Sequence, residues 1–292
     1  MQQIARGIFY EDTYLGVTLG GLVFSYGTIM IDAPLRAEDA RVWRSGLLNQ
    51  RGGSNRVLVN LDGNPDRTLG AKAQECTIIA HHKTAQMYRN RPTIFKGQNT
   101  PSGSAWEYYN EAIGLRWAPP DITFSHRMSL QWGGPEVVLE HHPGPMAGAV
   151  WAIIPAEKVI FVGDTLTVDQ PPFFANAEFG EWIESLEILS DRFGDFEIIA
   201  GRGGKASKKI ISDQIQILKN ASKGIERLVK RNAGPEATEE LIQPVLSEYT
   251  YERELEEQYT QRLRYGLFQY YARHYRPSSS LEPPVMEEEE QA

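Results

Sequence analysis

The sequence predicts an α+β sandwich, and three observations carry the prediction. Short β-rich runs fill two stretches, residues 8–80 and 122–200, and each stretch also carries helix-favouring segments. Strand candidates after Ile122 follow one another closely enough for antiparallel hairpins. The last third changes to helices with apolar residues at three- and four-residue spacing. Two β-rich halves that each carry helices describe an α+β sandwich.

Taken in order, Ile8–Tyr10, Val17–Ser25 and Thr28–Ile31 read as strands, the last ending at Asp32. Thr13–Ile31 is uncharged over about the length of a membrane span. However, Gly16, Gly20, Gly21 and Gly27 interrupt it and its apolar residues alternate, so it reads as two strands joined at Tyr26-Gly27. A polar helix over Ala37–Asn49, a strand at Arg56–Val59, a strand at Thr77–Ala80 and a helix over Lys83–Arg89 follow. Residues 90–121 are rich in Gly, Pro, Asn and Ser and read as a long surface segment or lid. Trp106, Tyr108, Tyr109 and Trp117 within it either overhang a cleft or fold down as a local core.

Ile122–Phe124, Met128–Trp132, Glu136–His141, Ala149–Ile154 and Lys158–Val162 are the next strands, the last running into Gly163-Asp164. A helix over Ala177–Arg192 presents Trp182, Leu186 and Leu189 on one face, and a strand at Phe196–Ala200 ends in the turn Gly201-Arg202-Gly203-Gly204. Three amphipathic helices complete the folded body. Ile211 to Val229 mark the first and Leu241 to Leu246 the second, while Leu255, Tyr259, Leu263, Leu267 and Tyr271 mark the third. That aromatic stripe either packs on the chain's own sandwich or forms a homodimer interface. From Pro277 the Pro, Ser and Glu composition predicts a disordered acidic tail, 277–292.

Composition bounds the function. The 292 residues are 41% hydrophobic and 23% charged, ordinary for a globular protein. Five of the negatives behind the net charge of −8 sit at Glu282 and Glu287–Glu290, which leaves only −3 on residues 1–276. No basic footprint marks a nucleic-acid or anionic-membrane partner. Cys76 is the single cysteine and the opening Met1–Arg6 lacks a secretory signal's apolar run, so the sequence predicts a cytoplasmic protein.

Five segments fall in a telling order: Gly27-Thr-Ile-Met-Ile-Asp32; Leu61-Asp62-Gly-Asn64-Pro-Asp66-Arg67; His142-Pro-Gly-Pro145; Val159-Ile-Phe-Val-Gly163-Asp164; and Ile198-Ile-Ala-Gly201-Arg202-Gly203. Together they resemble the ordered motif set of the metallo-β-lactamase superfamily over about residues 5–205. The resemblance implies a four-layer αββα sandwich over 1–205, with 206–276 as a C-terminal helical extension. It also implies a hydrolytic site at one edge of the two sheets that normally binds one or two zinc or iron ions. In the family's first metal motif, His-x-His-x-Asp-His, the positions are held here by Asp62, Asn64, Asp66 and Arg67. The later histidine positions are held by Pro145 and Arg202, and the bridging aspartate is retained as Asp164.

Proline has no side-chain donor, and a guanidinium stays protonated with no lone pair to give. The resemblance therefore implies a degenerate metal site, with Arg67 and Arg202 in the electrostatic place of two cations, paired to Asp62, Asp66 and Asp164. Asp32, His82 and His142 are candidate neighbours of the cleft. Simpler duties stand beside these roles: Asp32 capping a turn, Asp66 capping a helix, Asp164 accepting loop N–H groups. No Ser elbow or cysteine motif points to a covalent hydrolase.

The expectation is thus a pseudoenzyme with no cofactor, binding a small anionic ligand or a protein partner. One alternative is a hydrolase holding a single Mg²⁺ or Mn²⁺ ion on Asp62, Asn64, Asp66 and Asp164. The other is a structural homo-oligomer.

Overall fold

The computed structural model describes residues 1–275, so the acidic tail expected over 277–292 lies outside the described residues. Seven strands form one sheet in sequence order: β1 (Gln2–Ala5), β2 (Ile8–Glu11), β3 (Leu19–Val23), β4 (Gly27–Ile31), β5 (Asn55–Val59), β6 (Thr77–His81) and β7 (Ile122–Phe124). It is antiparallel from β1 to β4 and parallel from β4 to β7. The second sheet comprises β8 (Arg127–Leu130), β9 (Val137–His141), β10 (Val150–Ile154), β11 (Val159–Phe161), β12 (Glu197–Ile199) and β13 (Lys205–Ala206). Its spatial order is β13-β12-β11-β10-β9-β8, parallel only between β11 and β12.

Period-two alternation decides which side chains lie between the sheets. Ile29, Ile31, Val57 and Val59 face Leu139, Ala152, Ile154, Val159 and Phe161 in the central core. The intervening Met30 and Leu58 point outward and pack under Trp43 and Leu47 of α1 (Ala37–Leu48). On the opposite flank, Trp151, Ile160 and Ile198 meet Trp182, Leu186 and Leu189 of α4 (Phe179–Phe193) and Ile211 and Leu218 of α5 (Lys208–Lys230). Strands buried on both faces explain the near-continuous apolar runs of β4 and β5. The four layers are those expected.

Two expectations need correction. Ile122–Phe124 does not form a hairpin with the next strand: β7 pairs in parallel with β6 in the first sheet, and Ser125-His126 carries the chain across to the second. Hairpin-like spacing misleads here because a two-residue link can also change sheets. Segment 90–121 is also more than a surface excursion. Phe95, Trp106 and Trp117 are buried with Leu35, Leu69 and Tyr88, the last from α3 (His82–Arg89), and form a separate core. Tyr108, by contrast, is exposed. Of the aromatics in this segment, Trp106 and Trp117 therefore take the inward alternative.

After α5 come α6 (Ile242–Leu246) and α7 (Glu256–Tyr275). The α7 stripe is covered by the chain itself: Leu263 and Leu267 are fully buried, Tyr270 stacks on Phe179 at 4.1 Å, and Tyr271 donates to Ala233 O. No described helix is long and apolar enough to cross a membrane.

A buried guanidinium–carboxylate cluster

The candidate site forms where strand ends gather at one edge of the sandwich. Asp32 follows β4, Asp62 and Asn64 follow β5, Asp164 follows β11 and Arg202 follows β12. The two loops of the second sheet touch directly: Gly201 N donates to Gly163 O at 2.7 Å, and a Cβ at Gly201 would lie 2.4 Å from the Gly163 carbonyl carbon. Only glycine fits there, and Gly163 itself has φ +56°. This close approach brings Arg202 beside Asp164.

After β5 the chain turns into α2 (Pro65–Thr68), whose cap is Asn64: its Oδ1 accepts from Asp66 N at 3.0 Å, with Pro65 at the first helical position. The cap is therefore Asn64, and Asp66 is left free for other partners. Its Oδ1 accepts from Trp106 N and its Oδ2 from Ala105 N, at 2.9 and 3.1 Å. Asp66 thereby ties the 90–121 segment to the site.

Arg67 lies at the centre, with no exposed surface. Nη1 donates to Asp32 Oδ2 at 2.7 Å, and Nη2 donates to Asp164 Oδ1. Nε lies 3.2 Å from Asp62 Oδ1, an ionic contact too poorly directed for a hydrogen bond. Arg202 grips Asp164 side-on through Nε and Nη2, at 3.1 and 3.2 Å, and reaches Asp66 Oδ2 through Nη1 at 2.9 Å. Asn64 Nδ2 completes the shell of Asp164 at 3.3 Å.

Thus six of the seven positions named from the motifs, together with Asp32, form one network. Asp32 also bonds Leu61 N and holds φ +57°, a left-handed conformation uncommon outside glycine. The seventh position, Pro145, lines the cavity above.

The two histidines do not join. His82 is exposed at the start of α3, beside His81. His142 is buried against Trp151 at 3.5 Å and bonded to Glu140. Each follows its neighbour, His81 or His141, at a strand end, and neither lines the cavity.

Sequence reasoning missed Arg262 of α7, which is buried below the same segment. It donates to Gly103 O through Nε and Nη2, at 3.2 and 3.1 Å, and to Pro171 O and Gln170 through Nη1. The Arg202 and Arg262 guanidiniums both lie over the Phe173 ring, at 4.5 and 4.1 Å. The available signal was an arginine between Tyr259 and Leu263 on an otherwise apolar helix face.

Electrostatics follow from burial and pairing. Burial pushes Asp32 up to about 7 against the pull of Arg67, and it also raises Asp62, whose Oδ2 has no hydrogen-bond partner. Burial acts the same way on Asp164, but Arg202 and Arg67 outweigh it and hold that carboxylate below its ordinary range. Burial and the nearby Arg202 push Arg262 down to about 10.

The residues do not fit a zinc or iron centre of the family's kind. Guanidinium groups fill the space between the carboxylates and occupy both oxygens of Asp164. Among the described residues, no group of three or more His, Cys, Asp or Glu side chains converges as a metal shell.

Above the cluster opens a cavity of about 290 Å³, floored by Asn64, Pro145 and Asp164 and walled largely by the 90–121 segment. Asp66, Arg67 and Arg202 do not line it but bond two residues that do: Asp66 N donates to Asn64, and both arginines donate to Asp164.

The family model of the metallo-beta-lactamase superfamily matches residues 70–195. No curated protein matches the sequence. Among solved structures, the chain is similar to a metallo-beta-lactamase from Pontibacter korlensis (TM-score 0.57, 17% identity, covering 75% of this chain and 98% of that one). It is similar to the DIM-1 metallo-beta-lactamase (TM-score 0.58, 16% identity, 75% and 96% covered). It is also similar to the stereoselective inverting sec-alkylsulfatase Pisa1 from Pseudomonas sp. (TM-score 0.67, 13% identity), which covers 96% of this chain, C-terminal helices included. The chain spans 51% of that protein.

Proposed function

We propose that this chain, placed in the metallo-β-lactamase superfamily by its family match and its fold, binds a small ligand in the cleft and does not run metal-dependent hydrolysis. The observation that carries the reading is the position of Arg67 and Arg202. They take up the charge of Asp62, Asp66 and Asp164 from inside the protein, as cations would, and Arg67 and Arg202 with the Ala105 and Trp106 amides occupy both oxygens of Asp66 and of Asp164. What such a network supplies is a rigid floor under the cavity. The aromatic segment 90–121, tied to Asp66, supplies walls, and the single cysteine agrees with a cytoplasmic setting.

The relatives named above are hydrolases, and a hydrolytic reading would need an ion on Asp62, Asn64, Asp66 and Asp164. Thermal unfolding separates the two. Addition of zinc, manganese or magnesium should leave the melting temperature unchanged, whereas an ion bound by the folded state alone would raise it by mass action. A rise of several degrees, together with metal-dependent cleavage of an ester, lactam or sulfate ester, would overturn the binding reading.

A further inference from the structure

The cavity walls carry an asymmetry of charge that the cluster beneath does not explain. Three charged side chains line the cavity: Asp164, Arg91 and Lys96. Asp164 is already matched by Arg67, Arg202 and Asn64. Arg91 and Lys96 make no ion pair among the described residues. Arg91 sits just past α3 with its guanidinium 5.0 Å over the Trp117 ring, and its Nη1 is buried without a hydrogen-bond partner. With no carboxylate paired to it, the Arg91 charge can meet an anion in the cavity that this residue lines. The remaining wall is apolar, formed by Ile94, Phe95, Trp106, Trp117, Met146 and Phe173.

We infer that the cavity takes a small amphipathic anion, its oxyanion head on Arg91 and Lys96 and its apolar body against Phe95, Trp106 and Trp117. The inference rests on the reading of the cleft as a binding site and adds the chemical class of the ligand. A volume of about 290 Å³ suits a compact molecule, at the lower end of small-ligand sites. Arg91 has the chemistry for the head, since a guanidinium meets a carboxylate or phosphate with two parallel N–H groups. Lys96, exposed at the rim, adds a point charge that strengthens attraction without fixing geometry.

The probes are octanoate, octyl phosphate, 1-octanol and acetate, titrated into the full chain by calorimetry and by the fluorescence of Trp106 and Trp117. Octanoate or octyl phosphate should bind one to one, and whichever binds more tightly identifies the head. Octanol and acetate, each lacking half of the ligand, should bind at least roughly tenfold more weakly. R91Q should weaken the anion by roughly tenfold or more. K96Q, an exposed change that leaves the fold alone, should weaken it less and reduce its salt dependence. Octanol binding as well as octanoate, indifference to both substitutions, or no binding of either anion would overturn the assignment. Failure of the underlying reading shows elsewhere, as a metal-induced rise in melting temperature with cleavage, which these titrations do not register.

Discussion

Arg202 meets Asp164 side-on, Nε to Oδ1 at 3.1 Å and Nη2 to Oδ2 at 3.2 Å, with the two residues no more than 4% exposed. The same guanidinium reaches Asp66, so its removal leaves two carboxylates buried and short of a counter-charge. Arg202→Ala should therefore cost about 3–5 kcal/mol, as breaking a buried pair by deleting one partner does. Arg202→Lys should recover part of that, since a point charge replaces a fork. Chemical denaturation measures both, and a loss under about 0.5 kcal/mol for the alanine variant would reduce Arg202 to a bystander.

Arg262 holds Gly103 O through two N–H groups, and Gln258 Nε2 reaches the same carbonyl at 3.2 Å. Arg262→Met keeps the apolar contacts with Phe173 and Tyr259 but releases the loop. Hydrogen exchange should then speed up at Gly103, Ala105 and Trp106, while the amides of β4 and β5 keep their protection. Unchanged exchange in 103–106 would show that Asp66 and Gln258 hold the segment without Arg262.

His81 and His142 are both buried, and burial pushes each down to about 4. In the unfolded chain both titrate near 6.5. Between those values the unfolded state binds protons that the folded state refuses, so stability is full above about pH 6.5 and falls as pH drops toward 4. The loss from the pair should be on the order of 1–2 kcal/mol, discounted for water at the strand ends. His142→Gln should lower stability at pH 7 yet shrink the decline between pH 6.5 and 4.5. An identical decline in that variant would assign the pH dependence to other groups.

Tyr270 stacks on Phe179, and the rest of the α7 stripe is buried within the same chain. Truncation near residue 250 should expose that surface and cause aggregation, and Tyr270→Ala should cost about 3–4 kcal/mol. Light scattering decides: a chain cut near 250 that stays soluble with its melting temperature unchanged would show that α7 is no part of the core.

The fold was legible because two β-rich stretches that each carry helices and the order of five loop motifs point to one architecture. The cluster was legible for the same reason, since each motif places its residue at a strand end. Arg262 was not, because it belongs to a helix far along the chain and reaches the site only through tertiary packing. The role of Asp32 was only half visible: its place at the end of β4 suggested a neighbour, but its pairing with Arg67 depends on a left-handed backbone that pattern cannot show. The ring contact of His81 with His141 at 3.8 Å likewise joins β6 and β9, strands of different sheets.

The central claim is that Arg67 and Arg202 stand in for cations. Elemental analysis of the chain, incubated with zinc, iron(II) or manganese and then desalted, tests it most directly. Arginines already seated on Asp62, Asp66 and Asp164 predict metal far below one ion per chain, whereas retention of about one or two ions per chain, the complement of a built zinc or iron site, would contradict it.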